Sequence, residues 1–88
     1  MAPRKKTSKK RTVTRTQTGV RIESRILKVL KALAEFHDIS LGDLLEGICL
    51  HAFEGKTPFS KESLQVITDL KRVYRLDLSA ADSHLLRE

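Results

Sequence analysis

The sequence contains no tryptophan, one cysteine and only two prolines among its 88 residues, and its apolar runs are short. A lone cysteine, Cys49, cannot form an internal disulfide and fits a reducing compartment, where we expect it to be a small buried side chain. No run approaches the roughly 20 apolar residues that cross a bilayer, and no apolar signal-peptide core follows the basic N-terminus. These absences predict a soluble, cytoplasmic protein that does not enter a membrane.

Clustered groups of the kind that carry catalysis or bind metals are also lacking. His37, His51 and His84 are scattered, and Cys49 and His51, two residues apart, would point to different faces of a helix. No pair has zinc-ligand spacing, and no glycine-rich phosphate loop or nucleophile motif is present. We therefore expect no enzyme activity, no catalytic residues, no metal site and no cofactor.

Positive charge is concentrated at the N-terminus. Met1 to Arg15 holds seven Lys or Arg and no acid, whereas Thr16 to Glu88 holds ten basic and eleven acidic residues. Dense like charge without apolar periodicity predicts a disordered basic arm over residues 1–11. Such an arm suits a polyanion, although a solvated tail or a nuclear address would use the same residues.

A short strand, from about Thr14 to Ile22, and two helices are predicted after the arm. In Thr18–Ile22 the side chains alternate, with Thr18, Val20 and Ile22 on a face suited to burial. Apolar residues then recur at helical spacing on both sides of Ser40. Since a lone strand leaves its backbone groups unpaired, the same strand of a second copy is the simplest partner. The sequence therefore predicts a homodimer.

In this pattern the chain resembles the ribbon-helix-helix family of dimeric DNA-binding proteins. The resemblance rests on Thr18–Ile22 for the ribbon, on Ile26, Leu30, Leu33 and Ala34 for the first helix, and on residues 39–45 for the start of the second. It implies a mostly α fold with one β-strand: an intertwined homodimer with an intermolecular two-stranded antiparallel ribbon. The expected domains are the arm 1–11, a DNA-binding and dimerisation domain 12–55, and a C-terminal extension 56–88 of one or two further helices.

The outer face of the expected ribbon supplies the candidate base-reading residues, which are Arg15, Gln17, Gly19 and Arg21. Arg matches the guanine O6 and N7 acceptors, and Gln matches adenine N6 and N7 in the major groove. Gly19 stands where the family usually has a polar side chain. Because glycine has no side chain, it favours close approach of the backbone to the bases.

Phosphate contacts are expected from two places. Ser40 begins the second helix, with Asp43 three residues on as a near match to a capping box, and free amides at a helix N-terminus suit an anion. The candidate phosphate-binding residues are Ser40, Leu41 and Gly42, together with Arg4, Lys5, Lys6, Lys9, Lys10 and Arg11 of the arm. The expected dimer core consists of Val20, Ile22, Leu30, Leu33, Leu44 and Ile48.

Beyond Gly55 and Pro58 a third helix is predicted from Ser60, with Leu64, Ile67, Leu70 and Tyr74 on one stripe. A short fourth helix is predicted from Ser79, carrying Leu85 and Leu86. This extension either covers the core or binds a protein partner.

The predicted function is sequence-specific binding of double-stranded DNA as a homodimer, with assembly of several dimers on DNA as an extension, in a transcriptional repressor that associates with the nucleoid. Two alternatives remain open at this point. One is an antitoxin or plasmid-maintenance protein whose residues 56–88 bind a protein partner. The other is a non-specific architectural DNA-binding protein.

Overall fold

The computed structural model describes residues 10–88, and all of their regular structure is helical. Helix α1 spans Ser24–Phe36, α2 spans Leu41–Phe53 and α3 spans Lys61–Val73. A single 3-10 turn, Ala80–Asp82, follows near the C-terminus. Helices α2 and α3 each pack against α1, which therefore lies at the centre of the fold.

Side-chain caps fix where each helix begins. The Glu23 carboxylate accepts hydrogen bonds from the amides of Arg25 and Ile26, both at 2.9 Å. Ser40 Oγ accepts from the Asp43 amide and Ser60 Oγ from the Ser63 amide, each at 3.1 Å. These bonds satisfy amides that have no partner within their own helix, and they confirm the predicted helix starts at Ser40 and Ser60.

Left-handed residues end the helices. Asp38 follows α1 with φ 61°, Gly55 follows α2 with φ 70°, and Arg75 follows α3 with φ 56°. The predicted helix end at Gly55 is confirmed. Only glycine adopts this conformation without cost, so the turns at Asp38 and Arg75 carry a small strain.

The core is small and lies between the three helices. Leu33 of α1, with 1% of its surface exposed, packs with buried Ala34 and Leu44. Partly buried apolar side chains from all three helices and the α2–α3 connection surround this cluster: Leu30, Ile48, Phe59, Val66, Ile67 and Leu70. The C-terminal extension thus contributes directly to the core of its own chain.

The predicted strand is not present, and the ribbon-helix-helix fold is wrong. No residue of 10–88 is in a strand, so the intermolecular ribbon on which the intertwined homodimer was built has no counterpart. Alternation over Thr18–Ile22 is a short signal, and a strand forms only where a second segment completes its hydrogen bonds. No described segment lies beside it in that way, and Val20, expected to be buried, is 74% exposed.

Three smaller expectations also need correction. Cys49 is exposed rather than buried. On α3 the inward face is centred on buried Ser63 rather than on Leu64, which is exposed. The predicted fourth helix is one 3-10 turn with a complete Ser79–Asp82 capping box, and the exposed Leu85 and Leu86 lie beyond it.

Candidate nucleic-acid interface

Residues 10–22, here called the exposed segment, precede α1 and carry all four predicted base-reading residues. Every residue from Lys10 to Arg21 is exposed, and Ile22 is half-buried. Among the described residues, no backbone hydrogen bond joins this segment to the helices. Its backbone and side chains are therefore accessible to a ligand over its whole length.

One bidentate ion pair ties the middle of the exposed segment to α2. Arg15 Nε donates to Glu46 Oε2 at 2.7 Å, and Arg15 Nη2 donates to Glu46 Oε1 at 2.9 Å. The hydrogen bonds from Arg15 lower the pKa of Glu46, and Glu46 raises the pKa of Arg15. The charge of Asp43 raises the pKa of Arg15 further, so two acids of α2 act on one guanidinium.

The end of the exposed segment makes a different contact. Arg21 pairs with Glu88 at the C-terminus of the chain, and both side chains are 83% exposed. Residues 21–24 and 86–88 line a groove of about 450 Å³ at this point. Since both partners are well solvated, we expect the pair to add little stability. Another anion should therefore readily replace Glu88 at Arg21.

Gln17 and Gly19 lie between the two arginines, and both are exposed. A Cβ built on Gly19 would have no atom within 4 Å, so the fold itself does not require glycine there. Arg15, Gln17, Gly19 and Arg21 thus share one accessible stretch of chain, although no ribbon arranges them.

The N-terminus of α2 holds the predicted phosphate contacts Ser40, Leu41 and Gly42. Ser40 and Gly42 are exposed and Leu41 is half-buried. Ser40 Oγ accepts a hydrogen bond from the Asp43 amide, and the described hydrogen bonds include none from the Ser40 amide to the Asp43 carboxylate. The capping box is therefore half formed, and the exposed Asp43 carboxylate opposes an anion at this helix end.

The basic arm is described only at its end. Lys10 and Arg11 are exposed, whereas Arg4, Lys5, Lys6 and Lys9 lie outside the described residues. Counted over the sequence, residues 1–22 hold eight Lys or Arg and no acid, while residues 23–88 hold nine basic and eleven acidic side chains. The excess positive charge thus ends where α1 begins.

Only some residues of the predicted dimer core are buried within the single chain. Leu33 and Leu44 are buried in the core, where Leu30 and Ile48 pack against them. Ile22 is half-buried, and Val20 is exposed. Four of the six residues therefore already have apolar neighbours within one copy.

Sequence reasoning missed Glu46 and Glu88, the two acids that bind the predicted base-reading arginines. Each pair joins residues far apart in the chain, 31 residues for Arg15–Glu46 and 67 for Arg21–Glu88. A local signal for Glu46 did exist, since Asp43 and Glu46 are the two acidic residues of α2, on a face that continues with Cys49, Leu50 and Phe53.

Other kinds of site find no support in residues 10–88. Their His, Cys, Asp and Glu side chains form no group of three that could hold a metal ion. Within the same residues, no helix is both long and apolar enough to cross a membrane.

Comparison with protein-family models, curated proteins and solved structures found no match for this chain.

Proposed function

We propose that this chain is a DNA-binding regulator that contacts double-stranded DNA through residues 1–22. The observation that supports this most strongly is the separation of charge: residues 1–22 hold eight basic residues and no acid, and residues 10–21 are exposed. The helical body, residues 23–88, has a small acidic excess. An accessible, purely basic stretch on a near-neutral body favours a polyanionic ligand over a neutral protein surface.

Within this stretch the two types of residue suit different tasks. The lysines and arginines of residues 4–11 suit phosphates, which give affinity without sequence preference. Arg15, Gln17 and Arg21 have the donors and acceptors that read base edges. We therefore assign affinity to the arm and sequence preference to the exposed segment.

The salt dependence of DNA binding tests the role of the arm. Neutralising Lys5, Lys6, Lys9 and Lys10 with glutamine should reduce the slope of log K against log salt by up to about 3.6, since each phosphate contact contributes roughly 0.9. The matched control replaces four lysines of the body, Lys28, Lys31, Lys56 and Lys61, and makes the same change in net charge. Equal slopes for both variants would refute the assignment to the arm.

Selection of binding sites from a random DNA pool tests sequence preference. A regulator should enrich a defined site, and Arg21→Ala should relax the preference at particular base pairs. Enrichment of no site would leave the architectural alternative as the better description.

We propose further that two copies act together. Among residues 10–88, four apolar side chains are buried: Val29, Leu33, Ala34 and Leu44. Meanwhile Leu50 and Phe53 on the outer face of α2 are 65% and 81% exposed. Small domains with so little core commonly gain stability by association. Sedimentation equilibrium should show a dimer at micromolar concentration, and a stable monomer under those conditions would refute pairing.

The alternative in which residues 56–88 bind a protein partner is supported less. The inner side chains of α3, among them Val66, Ile67 and Leu70, already pack against the core of their own chain. What α3 leaves exposed is Leu64, Val73 and charged residues of both signs. A dedicated partner surface would require a larger continuous apolar area.

A further inference from the structure

The pair between Arg15 and Glu46 has an asymmetry that concerns DNA recognition. Glu46 takes the Nε edge of the guanidinium, through Nε and one hydrogen of Nη2. Within residues 10–88, Arg15 Nη1 makes no hydrogen bond. The opposite edge, formed by Nη1 and the second hydrogen of Nη2, is the edge that can donate two parallel bonds to guanine O6 and N7.

The two partners also differ in how they are fixed. Glu46 belongs to α2, whose backbone is held by its own hydrogen bonds and by Leu44 in the core. Arg15 belongs to the exposed segment, which has no backbone hydrogen bond to the helices among the described residues. The carboxylate is therefore the fixed member of the pair, and the guanidinium takes its position from it.

We infer that Glu46 is a positioning residue that presents the outer edge of Arg15 to a guanine base. This inference rests on the proposed DNA binding and names one determinant of its specificity. A bidentate hold restricts the rotamers of Arg15 before DNA arrives, so less side-chain entropy is lost when the base contact forms. The pair itself is solvent-exposed, with side-chain exposures of 68% and 45%. An exposed ion pair contributes little to the stability of the fold, so stability alone does not explain this pair.

The sign of the effect separates positioning from simple charge repulsion. A carboxylate near DNA repels phosphates, so its removal should strengthen binding to every sequence. Removal of a positioning carboxylate should instead weaken binding to the preferred site, because the arginine that reads this site is then held less firmly. Glu46→Gln should therefore raise or maintain affinity for random duplex while it reduces the preference for the selected site.

The experiment measures dissociation constants of the full chain for the selected site and for random duplex at one fixed salt concentration. A bidentate base contact is worth roughly 5- to 150-fold in discrimination, and Glu46→Gln should remove a large part of this. Arg15→Lys keeps the charge but loses the fork, and it should reduce the ratio by a similar factor. The double variant should reduce it no further than Arg15→Lys alone, since both changes disable one contact.

Glu54→Gln serves as the matched control. Glu54 caps the other end of α2, is exposed and pairs with Lys56, so this variant makes the same charge change without touching Arg15. It should leave the ratio unchanged. A ratio that falls equally in both glutamine variants would overturn the inference, as would parallel gains at both DNAs in Glu46→Gln.

A measurement without DNA separates this inference from the proposed function. The Arg15 Nε–H resonance of the free protein should exchange slowly with solvent and lose that protection in Glu46→Gln. Rapid exchange in the wild type overturns positioning even if DNA binding is confirmed. A protected resonance with no enriched DNA site overturns base reading by Arg15, and absence of any salt-dependent DNA binding overturns both proposals.

Discussion

Truncation of Leu33 to alanine is expected to remove a large share of the stability of this chain. Leu33 is 1% exposed and is the centre of the cluster formed with Ala34 and Leu44. Buried Leu→Ala changes cost roughly 3 to 5 kcal/mol, from lost apolar transfer and from the cavity left behind. A chain of 88 residues is expected to have a free energy of unfolding of about 4 to 13 kcal/mol. The loss therefore amounts to between about a quarter and all of that free energy.

Urea denaturation followed by far-ultraviolet circular dichroism measures this loss directly. The midpoint should fall while the slope with urea stays constant, and the melting temperature should fall by at least about 10 °C. Leu50→Ala is the matched control, since it makes the same chemical change at a 65% exposed position on α2. Surface changes of that kind usually stay within about 0.5 kcal/mol.

The two variants together locate the core. A loss below about 1.5 kcal/mol for Leu33→Ala would refute a core centred on that residue. A loss of similar size for Leu50→Ala, with a melting temperature that rises with protein concentration, would instead show that the outer face of α2 is buried between two copies.

Three further outcomes are expected. Gly47→Ala should stabilise α2 by roughly 0.5 to 1 kcal/mol in thermal melting, because a Cβ at Gly47 meets no atom within 4 Å; destabilisation would show a contact at this position that the single chain lacks. Ser63→Ala should cost roughly 1 kcal/mol in urea denaturation, since the buried Ser63 Oγ bonds to Ser60 Oγ and His37 Nε2; no loss would show that water replaces these bonds. The hydrogen bond from the Ile26 amide, together with Arg25, lowers the pKa of the capping Glu23 in the folded protein. The stability that the Glu23 carboxylate contributes is therefore complete above the unfolded pKa of about 4.3. It is lost as the pH falls through the lower folded value. Glu23→Gln should remove that part of the acid dependence of melting, and identical acid dependence in both proteins would refute the role of the carboxylate.

The three helices could be predicted because their signals are local. Ser40 and Ser60 each accept a bond from the amide three residues on, and the apolar side chains that follow recur within a few turns. Glycine or another left-handed residue then stops each helix. All of these interactions join residues close together in the chain, so a single sequence contains them.

The strand and the burial of Leu64 on α3 were wrong for the opposite reason, although Ile67, Leu70 and Tyr74 of the predicted stripe are partly buried. Alternation at Thr18–Ile22 describes which side chains could share a face, but a strand also needs a partner segment, which no local pattern supplies. On α3 the choice between Ser63 and Leu64 as the inward residue depends on how the helix sits on α1. His37 of the α1–α2 turn lies 3.0 Å from Ser63 Oγ, and this polar contact makes burial of a serine acceptable.

The candidate site was predictable in part. The basic and polar residues at positions 15, 17 and 21 were expected to be accessible, and they are exposed. Their acidic partners were not expected, because ion pairs between residues far apart in sequence leave no periodic signal. Only the acidic pair Asp43 and Glu46, on a face of α2 that continues with apolar residues, indicated a basic partner for this helix.

The two ion pairs of the exposed segment leave both arginines able to donate to DNA. They should respond differently when DNA approaches. The contact of Glu88 with Arg21 is 83% exposed on both sides, so salt screens it and a phosphate or base can replace Glu88 at small cost. Glu46 is held by α2 and engages Arg15 through two bonds on one edge, so DNA can bind the other edge without displacing it. Under the proposed function, approach of DNA should therefore release Arg21 from Glu88 while Arg15 stays paired with Glu46. This difference gives the exposed segment one fixed donor and one adaptable donor on either side of Gln17.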